Sequence, residues 1–238
     1  PMPNSLSAPD VPPRALGASI GIALLLLAAT PARAIDITVD VLGDPQPNGC
    51  TPGDCSLREA VTLANSLAGP DRIVLPGTPG VPLQLSIPGD SEDANATGDL
   101  DVLDDLEIVG TGAATTTVVQ TAADRVLNTV MAADKRLVLR GLTIQGGRSV
   151  SGGGLAASSL VTIEDAAFVG NAVTSEGGAI QYSGSFSASI TEYRLVLRRV
   201  RFEDNISTQA NDAHGGALHA ASFFTGEPFV LIDDCDFI

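Results

Sequence analysis

Residues 161–168, with the sequence VTIEDAAF, decide the fold because three other segments of the chain align with them without gaps. The three are LVLRGLTI at 137–144, LVLRRVRF at 195–202 and VLIDDCDF at 230–237. Apolar residues fall at the first, third, sixth and eighth positions of all four segments. On either side of a one-residue break they recur at every second residue, which is the period of a β-strand. The pattern predicts two short strands that meet at a corner.

The four segments also predict that each stacks on the next, because one repeat cannot bury its own apolar face. The equivalent apolar residues then form four columns in a shared interior: Leu137/Val161/Leu195/Val230, Leu139/Ile163/Leu197/Ile232, Leu142/Ala166/Val200/Cys235 and Ile144/Phe168/Phe202/Phe237. Cys235 lies in the third column, so we expect it to be a small buried apolar residue. The charged positions at the break alternate in sign, which predicts cross-strand pairs such as Glu164 with Arg198.

A second element recurs between these segments. Paired glycines at 152–153, 177–178 and 215–216 precede further apolar stretches, and Asn171 and Asn205 each follow a phenylalanine by three residues. Glycine allows a tight bend, and asparagine tolerates left-handed backbone and stacks in ladders. The sequence therefore predicts an all-β fold, a single-stranded right-handed parallel β-helix, with the handedness taken from the rule for parallel crossovers.

The first 34 residues have the composition of a secretory signal peptide. Arg14 precedes an apolar run at 15–29, and the small residues of 32–34 predict cleavage after Ala34. The run is shorter than the roughly 20 residues of a spanning helix, and Pro31 interrupts it. The alternative is an uncleaved membrane anchor. With cleavage we expect an exported protein, extracellular or at the cell surface, and no membrane span in the mature part.

The next segment predicts a cap for the open end of the strands. In the oxidising compartment that export implies, we expect Cys50 and Cys55 to form a disulfide loop; the alternative is half of a metal site. Ser56 and Glu59 have the spacing of a capping box. Apolar residues at 57, 60, 61, 64 and 67 share one helical face. We therefore expect one short amphipathic α-helix that covers the end of the β-helix.

Residues 55–60 spell CSLREA, and the chain resembles the family of exported bacterial proteins named for these letters, in which the motif precedes β-helix repeats. The resemblance covers residues 36–150, including DRIVL at 71–75 and NATGDL at 95–100. The GGA(I/L) and FxxN elements resemble the repeats of the chlamydial polymorphic outer-membrane proteins, surface-displayed passengers of which several are linked to adhesion. We expect a signal peptide at 1–34, a CSLREA-type capping region with the first coils at 35–125, and β-helix repeats at 126–238, truncated at the C-terminus.

Composition limits the partners and suggests one ion. The net charge of −15 argues against nucleic acid and against an anionic membrane surface. Acidic residues cluster at Asp90, Glu92, Asp93, Asp99, Asp101, Asp104 and Asp105. Among them Asp93, Asp99 and Asp101 are candidate calcium ligands, because Ca²⁺ takes several carboxylate oxygens. The alternative is a solvated loop, since the chain has neither an EF-hand spacing nor a calcium-binding nonapeptide.

We find no catalytic residues in the sequence, which has neither a nucleophile elbow nor a phosphate-cradling loop. Insertions at 183–192 and 207–212 would project from one side of the stack and carry a binding function. The sequence favours a surface-displayed or secreted scaffold for adhesion or ligand binding, with a host or environmental glycan or a protein as partner. The alternative is a polysaccharide lyase or hydrolase whose active site lies beyond residue 238.

Overall fold

The structure, a computed structural model, describes residues 34–90, 92–184, 193–208, 215–222 and 229–238. Apart from Ala34, the predicted signal peptide lies outside the described residues, as do most of the two insertions. The elements in chain order are β1 (Asp36–Thr38), α1 (Leu57–Ser66), β2 (Asp71–Val74), β3 (Leu83–Leu85), β4 (Leu100–Val102), β5 (Leu106–Val109), β6 (Thr117–Gln120), β7 (Leu127–Thr129), β8 (Arg136–Arg140), β9 (Thr143–Gln145), β10 (Arg148–Ser149), β11 (Leu155–Ala157), β12 (Leu160–Val169), β13 (Ala172–Val173), β14 (Ile180–Gly184), β15 (Leu195–Glu203), β16 (Ile206–Ser207), β17 (Leu218–Ser222), β18 (Val230–Asp233) and β19 (Asp236–Phe237). No helix among the described ranges is long and apolar enough to cross a lipid bilayer.

The strands form parallel sheets to which the chain returns repeatedly. The largest sheet has one arm ordered β1-β2-β5-β8-β12 and a second arm ordered β3-β6-β9-β12, and β15, β18 and β19 extend both arms. A second sheet is ordered β4-β7-β11-β14-β17, and a short one β10-β13-β16. Every pairing between these described strands is parallel. The structure thus confirms the prediction of an all-β fold built from parallel strands.

The register of the repeats is the one that the apolar columns predict. Val161 pairs with Leu137 and with Leu195, and Phe168 pairs with Ile144 and with Phe202. The rings of Phe168 and Phe202 stack with their centroids 5.5 Å apart. All six side chains are buried in one apolar cluster, to which strands of both large sheets contribute.

At the corner between the two halves of each segment, one residue has a left-handed backbone conformation. Asp165 and Arg199 have φ near +51°, and Gly141 and Asp234 occupy the same place with φ of +61° and +53°. One residue in this conformation turns the chain, so β12 and β15 pass from one arm of the sheet to the other without a loop. The one-residue break in the sequence is therefore the corner itself.

A ladder of two asparagines, of which Asn171 is buried and Asn205 is half-buried, closes the next corner. Asn205 Oδ1 accepts hydrogen bonds from Asn171 Nδ2 at 2.9 Å and from the Asn171 main-chain N–H at 3.1 Å. Asn205 Nδ2 donates to the Phe168 carbonyl at 2.8 Å, and Asn171 Oδ1 accepts from the Gly147 N–H at 3.0 Å. Each asparagine side chain thereby forms hydrogen bonds with main-chain groups of the segment before it, which satisfies polar groups that are removed from water.

Charged side chains on the outer surface alternate in sign from one strand to the next. Arg198 lies 3.0 Å from Glu164, and Arg199 forms two hydrogen bonds with Asp165 at 2.6 and 2.9 Å. The same alternation continues toward the N-terminal end through ion pairs of 3.3–3.6 Å that link Glu164, Arg140, Glu107, Arg72 and Asp36. These pairs confirm the predicted charge pairing and keep like charges from lying directly opposite each other.

The last segment departs from the predicted burial. Cys235 is only half-buried, and Ile232 and Phe237 are 47% and 52% exposed. The ring of Phe237 stacks on Phe202, with a centroid distance of 4.8 Å. The expectation that Cys235 is fully buried is therefore wrong, because no described strand packs over this segment.

The N-terminal cap forms as a helix with the predicted capping box. The Glu59 N–H donates to Ser56 Oγ at 3.3 Å, and Glu59 Oε2 accepts from the Ser56 N–H at 2.9 Å. Cys50 and Cys55 are joined by a disulfide directly before the helix. The apolar face of α1, including Ala60 and Val61, is buried in the same cluster as the strands. The helix thus covers the apolar interior at the β1 end.

The paired glycines lie where two chain segments touch. A Cβ on Gly178 would lie 1.9 Å from the Gly216 carbonyl oxygen and 2.8 Å from the main chain of Ile206. We expect Gly178→Ala to lower the free energy of unfolding by about 1–3 kcal/mol, because backbone must move to admit the methyl group. Gly43→Ala is the control, since nothing lies within 4 Å of its added Cβ. Urea unfolding followed by circular dichroism measures both, and equal stability of the two variants would contradict the close approach.

Candidate functional site

A buried arginine of the cap helix α1 holds the loop before β4, which forms one wall of the candidate site described below. Arg58 is fully buried in α1, and its Nε and Nη2 donate to the two oxygens of Asp44 at 2.7 and 3.0 Å. The remaining N–H groups donate to the main-chain carbonyls of residues 97, 98 and 99 at 2.8–3.1 Å. Burial acts to raise the pKa of Asp44, but the hydrogen bonds from Arg58 and two main-chain N–H groups hold it below its ordinary value. The guanidinium therefore ties residues 97–99 to the cap.

The loop before β4 is held by its own polar side chains. The carboxylate of Glu92 accepts the N–H groups of Ala94 and Thr97 at 2.9 and 2.8 Å. Asn95, with φ of +57°, exchanges two hydrogen bonds with the main chain of Asp101, at 2.8 and 2.9 Å. This loop therefore lies directly over β4 and leaves Asp101 fully buried beneath it.

Beside this loop lies an open cleft of about 380 Å³, which we call the acidic cleft. It is lined by Asp90, Glu92, Asp93, Asp99, Ala123, Asp124, Arg125, Asn128, Arg148, Ser149, Val150 and Thr174. The walls thus come from the loop before β4, from the β6–β7 connection and from the chain around β10 and β13. Carboxylates outnumber the basic side chains among these residues.

Hydrogen bonds connect the floor of the acidic cleft. Asp124 Oδ2 accepts the N–H of Asp99 at 3.1 Å, and its Oδ1 accepts the N–H of Arg125 at 2.7 Å. The guanidinium of Arg125 lies 3.2 Å from the carboxylate of Asp99 and donates to Ser149 Oγ at 3.2 Å. These bonds hold two carboxylates and one guanidinium close together on the floor.

The acidic side chains of this region perturb one another. Burial, with Asp101 and Asp124 nearby, raises the pKa of Asp99 to about 7, and Arg125 offsets only part of this rise. Burial, with Asp93 and Glu92 nearby, raises the pKa of Asp101 to about 6 although Asn128 donates to it at 3.0 Å. Both carboxylates thus exchange protons close to neutral pH, which is a frequent property of binding and catalytic sites.

The three predicted calcium ligands come to one region but not to one point. Asp93 and Asp99 line the acidic cleft, whereas Asp101 lies behind Asn128. Among the residues that the structure describes, no three His, Cys, Asp or Glu side chains are grouped closely enough to hold a metal ion. Asp104 and Asp105 do not line the cleft, since both pair with Lys135. The acidic run of the sequence is therefore two clusters in space.

The cleft also contains residues that the sequence analysis did not identify as a site, namely Asp124, Arg125, Asn128 and Arg148. One of them, Asn128, could have been found from a sequence pattern, because β4 pairs with β7 and Asp101 lies opposite Asn128. Residues 100–102 read LDV and residues 127–129 read LNT, so the apolar leucines align and the polar residues follow. Extending the repeat alignment to this sheet would have placed Asn128 beside the acidic run.

The raised pKa of Asp99 predicts that this residue destabilises the protein at high pH. The native state holds the proton up to about pH 7, whereas the unfolded chain releases it near the ordinary value of 3.8. The stability from this group is therefore complete below the ordinary pKa and is lost as pH rises through about 7. Asp99→Asn should be more stable than the parent by about 1–3 kcal/mol at pH 8, and the gap should close near pH 4.

Asp165→Asn is the matched control for this experiment, because the pKa of Asp165 is lowered whereas that of Asp99 is raised. The hydrogen bonds from Arg199 hold the pKa of Asp165 below its ordinary value. Its stabilising effect is therefore present above the ordinary pKa and is lost as pH falls through the lower, folded-state pKa. Urea unfolding of the parent and both variants between about pH 4 and pH 8 shows whether the stability difference between each variant and the parent rises or falls with pH. A constant gap between Asp99→Asn and the parent at all pH values would contradict the raised pKa.

The chain was compared with protein-family models, with curated proteins and with solved structures. None of the three comparisons finds a match.

Proposed function

We propose that the chain is an exported scaffold, a right-handed parallel β-helix, that binds a ligand on its outer surface. The observation that carries this proposal is the contrast between a filled interior and an open acidic cleft. A void of about 10 Å³ between Leu100, Ile108, Leu127 and Leu139 is wholly apolar and could hold one water molecule at most. The acidic cleft, by contrast, opens to the outside and is polar. Chemistry with a ligand therefore belongs outside the stack.

The parallel pairing supports the β-helix part of the proposal. The chain visits the arms of the largest sheet and then the second sheet, and each return pairs in parallel with the strand of the previous visit. Parallel strands joined by crossovers in this way are right-handed in nearly all proteins. Display on a β-helix would leave the acidic cleft on the outside of a rigid stack.

Export is supported by the composition of residues 1–34 and by the disulfide between Cys50 and Cys55, a bond typical of oxidising compartments. We expect the chain, expressed in a bacterial host with an intact secretion pathway, to be recovered outside the cytoplasm with Ile35 as its first residue. Amino-terminal sequencing and intact mass measure this. Recovery of the uncleaved chain in the cytoplasm would contradict export.

Ligand binding is tested with the secreted product on arrays of glycans and of extracellular-matrix proteins. We expect saturable binding to a restricted set of ligands, and reduced binding when the cleft residues Asp93 and Arg148 are replaced together by alanine. Replacing Asp36 and Arg72 together is the control, because they form an exposed pair outside the cleft. Binding to no ligand on either array would count against the scaffold function.

A carbohydrate-active enzyme is the second candidate. The observation that favours it is the neighbouring carboxylates Asp99 and Asp124, one of which has a raised pKa, as a general acid requires. Incubation with acidic and neutral polysaccharides, followed by assays for reducing ends and for unsaturated products, tests this function. Turnover that Asp99→Asn abolishes would favour the enzyme over the scaffold. Absence of turnover would favour the scaffold.

A further inference from the structure

The main chain of Ile35 is held against the start of β2. The Arg72 N–H donates to the Ile35 carbonyl at 2.9 Å, and the parallel pairing of β1 with β2 continues from Asp36, which lies opposite Arg72. The Ile35 N–H in turn donates to Asp71 Oδ1 at 3.2 Å. Strand pairing that begins at Ile35 therefore fixes its nitrogen beside the carboxylate of Asp71.

The carboxylate of Asp71 is buried with only one of its two oxygens satisfied. The residue is 2% exposed, and its Oδ2 has no hydrogen-bond partner among the described residues. The neighbouring Arg72 does not compensate it, because the Arg72 guanidinium pairs with Asp36 and Glu107. A carboxylate removed from water costs free energy unless it is paired and hydrogen-bonded. The single N–H of Ile35 therefore does not suffice for this carboxylate.

The donor to Asp71 is also the nitrogen at the predicted signal-peptide cleavage site. The small residues of 32–34 predict cleavage after Ala34, so that Ile35 becomes the first residue. That prediction comes from the composition of residues 1–34 and makes no use of Asp71. In the structure, Ala34 and Asp71 line the same open space of about 430 Å³. The bond that the sequence predicts to be cut thus lies beside the unsatisfied carboxylate.

Hydrolysis of the bond between Ala34 and Ile35 changes the donor that faces Asp71. Water adds a hydroxyl group to the Ala34 carbonyl carbon and a hydrogen to the Ile35 nitrogen as the bond breaks. The new carboxyl group of Ala34 releases a proton and the amine of Ile35 takes one up, so the amine is largely an ammonium group at neutral pH. An amide with one N–H thereby becomes a cation with three, which can satisfy both oxygens of Asp71 and balance its charge.

We propose that Asp71 is the binding site for the α-ammonium group that signal-peptide cleavage creates at Ile35. This inference rests on the export part of the proposed function, which supplies the cleavage. The ion pair forms only in the processed chain, whereas the precursor keeps a buried carboxylate with one unsatisfied oxygen. Processing therefore stabilises the N-terminal end of the fold, at the start of β1 and β2.

The other charged groups of this region balance one another. Those that line the same space are Asp36, Arg72, Asp105, Glu107 and Arg136, and Lys135 pairs with Asp105. Carboxylates and cations are equal in number in this set, which leaves Asp71 as the carboxylate that the α-ammonium group balances.

Pairing with Asp71 makes the stability of the processed chain depend on pH. The ordinary pKa of an α-amino group is about 7.7–8.0, and a carboxylate beside it raises that pKa in the folded state. The stability from the pair is therefore complete below the ordinary pKa and is lost as pH rises through the raised one. A chain in which the α-amino group lies away from Asp71 should lack this loss.

The test compares two forms of the chain that differ by one residue, one beginning at Ile35 and one at Ala34. Both contain all the described strands and the helix, and both are refolded from fusions with a cleavable N-terminal tag. The extra residue makes the Ile35 nitrogen an amide again and moves the α-ammonium group by about 3.8 Å. We expect Asp71→Asn to raise the unfolding equilibrium constant about tenfold more in the form that begins at Ile35.

Asp36→Asn is the control, because Asp36 is an exposed carboxylate of the same space. It should change the unfolding equilibrium constants of the two forms alike, within about twofold. Urea unfolding followed by circular dichroism at neutral pH measures all of these variants. An effect of Asp71→Asn that is equal in the two forms would overturn the inference.

A second measurement needs no replacement of Asp71, so it also applies if Asp71→Asn fails to fold. The chain that begins at Ile35 has two amines, its α-amine and the side chain of its single lysine, Lys135. Acylating reagents attack the neutral form of an amine, so the α-amine should react about tenfold more slowly in the folded chain than in urea. Mass spectrometry of peptides from the product distinguishes the two amines. Reaction of the α-amine at the unfolded rate would overturn the inference.

Failure of this inference is distinct from failure of the proposed export. A secreted product that begins at another residue would contradict the predicted cleavage site. The form released from the tag would still show whether Asp71 binds the α-ammonium group of Ile35, because its production does not depend on secretion.

Discussion

Phe168→Ala is expected to lower the free energy of unfolding by about 3–5 kcal/mol. The ring is fully buried in the column between Ile144 and Phe202, and it also contacts Gly154, where a Cβ would lie 2.7 Å from it. Removal of the ring leaves a cavity that the segments on either side cannot fill, because their backbones are fixed by parallel hydrogen bonds. Urea unfolding followed by circular dichroism measures the change.

Phe237→Ala is the control from the same column. Phe237 stacks on Phe202, but its side chain is 52% exposed at the last described strand. Its replacement removes about half as much buried apolar surface and leaves no enclosed cavity, so we expect a loss below about 1.5 kcal/mol. Equal losses for Phe168→Ala and Phe237→Ala in the 238-residue chain would contradict the placement of Phe168 inside the stack.

Arg58→Ala is expected to cost about 3–5 kcal/mol, because it leaves the carboxylate of Asp44 buried without its partner. The side chains of both residues are fully buried, and three main-chain carbonyls would each lose the hydrogen bond from Arg58 at the same time. Arg58→Lys should recover only part of the stability, since an ammonium group cannot reproduce the planar fork of the guanidinium. Urea unfolding measures both variants.

Arg199→Ala is the matched control, because Arg199 also forms two hydrogen bonds with one carboxylate but does so at the surface. An exposed pair of this kind contributes much less than a buried one, because water screens the attraction between its charges. A loss for Arg58→Ala as small as that for Arg199→Ala would contradict the role of Arg58 in tying the cap helix to the loop over β4.

The parallel register could be predicted from the sequence because burial constrains the inward positions strongly. Residues such as Ile163 and Phe202 must be apolar, so their recurrence defines which residue lies over which. The corners were also predictable, because the break in the pattern falls on the residues with positive φ, such as Asp165 and Arg199. Burial in the last segment was not predictable, since it depends on whether another strand covers Ile232.

The acidic cleft was harder to predict because outward positions carry no such constraint. Its walls come from segments far apart in the sequence, from Asp90 to Thr174, and only the stacking brings them together. The sequence located the acidic run, but it did not separate Asp104 and Asp105 from the residues of the cleft. Arg58 was missed for a related reason, since an arginine in a surface helix is ordinarily exposed.

The proposed binding of a ligand on the outer surface has a consequence for mutations in this chain. Replacements in the columns should change stability with little direct effect on a ligand, whereas replacements of Asp93 or Arg148 should do the reverse. Asp99 and Asp101 belong to neither class alone. Both are buried, and the charges of the cleft contribute to the rise in their pKa values. Gain of stability in Asp99→Asn, together with weaker ligand binding, would be the signature of a residue retained for function.

The stacking of equivalent residues is tested most directly by proton–proton nuclear Overhauser effects in the chain labelled at isoleucine methyl groups and phenylalanine rings. We predict cross-peaks between the Ile144 methyl groups and the Phe168 ring, and between the rings of Phe168 and Phe202, whose centroids are 5.5 Å apart. A further cross-peak should join Phe202 to Phe237, at 4.8 Å. Absence of all three, with Phe168 and Phe202 in contact with water, would contradict the stacked architecture.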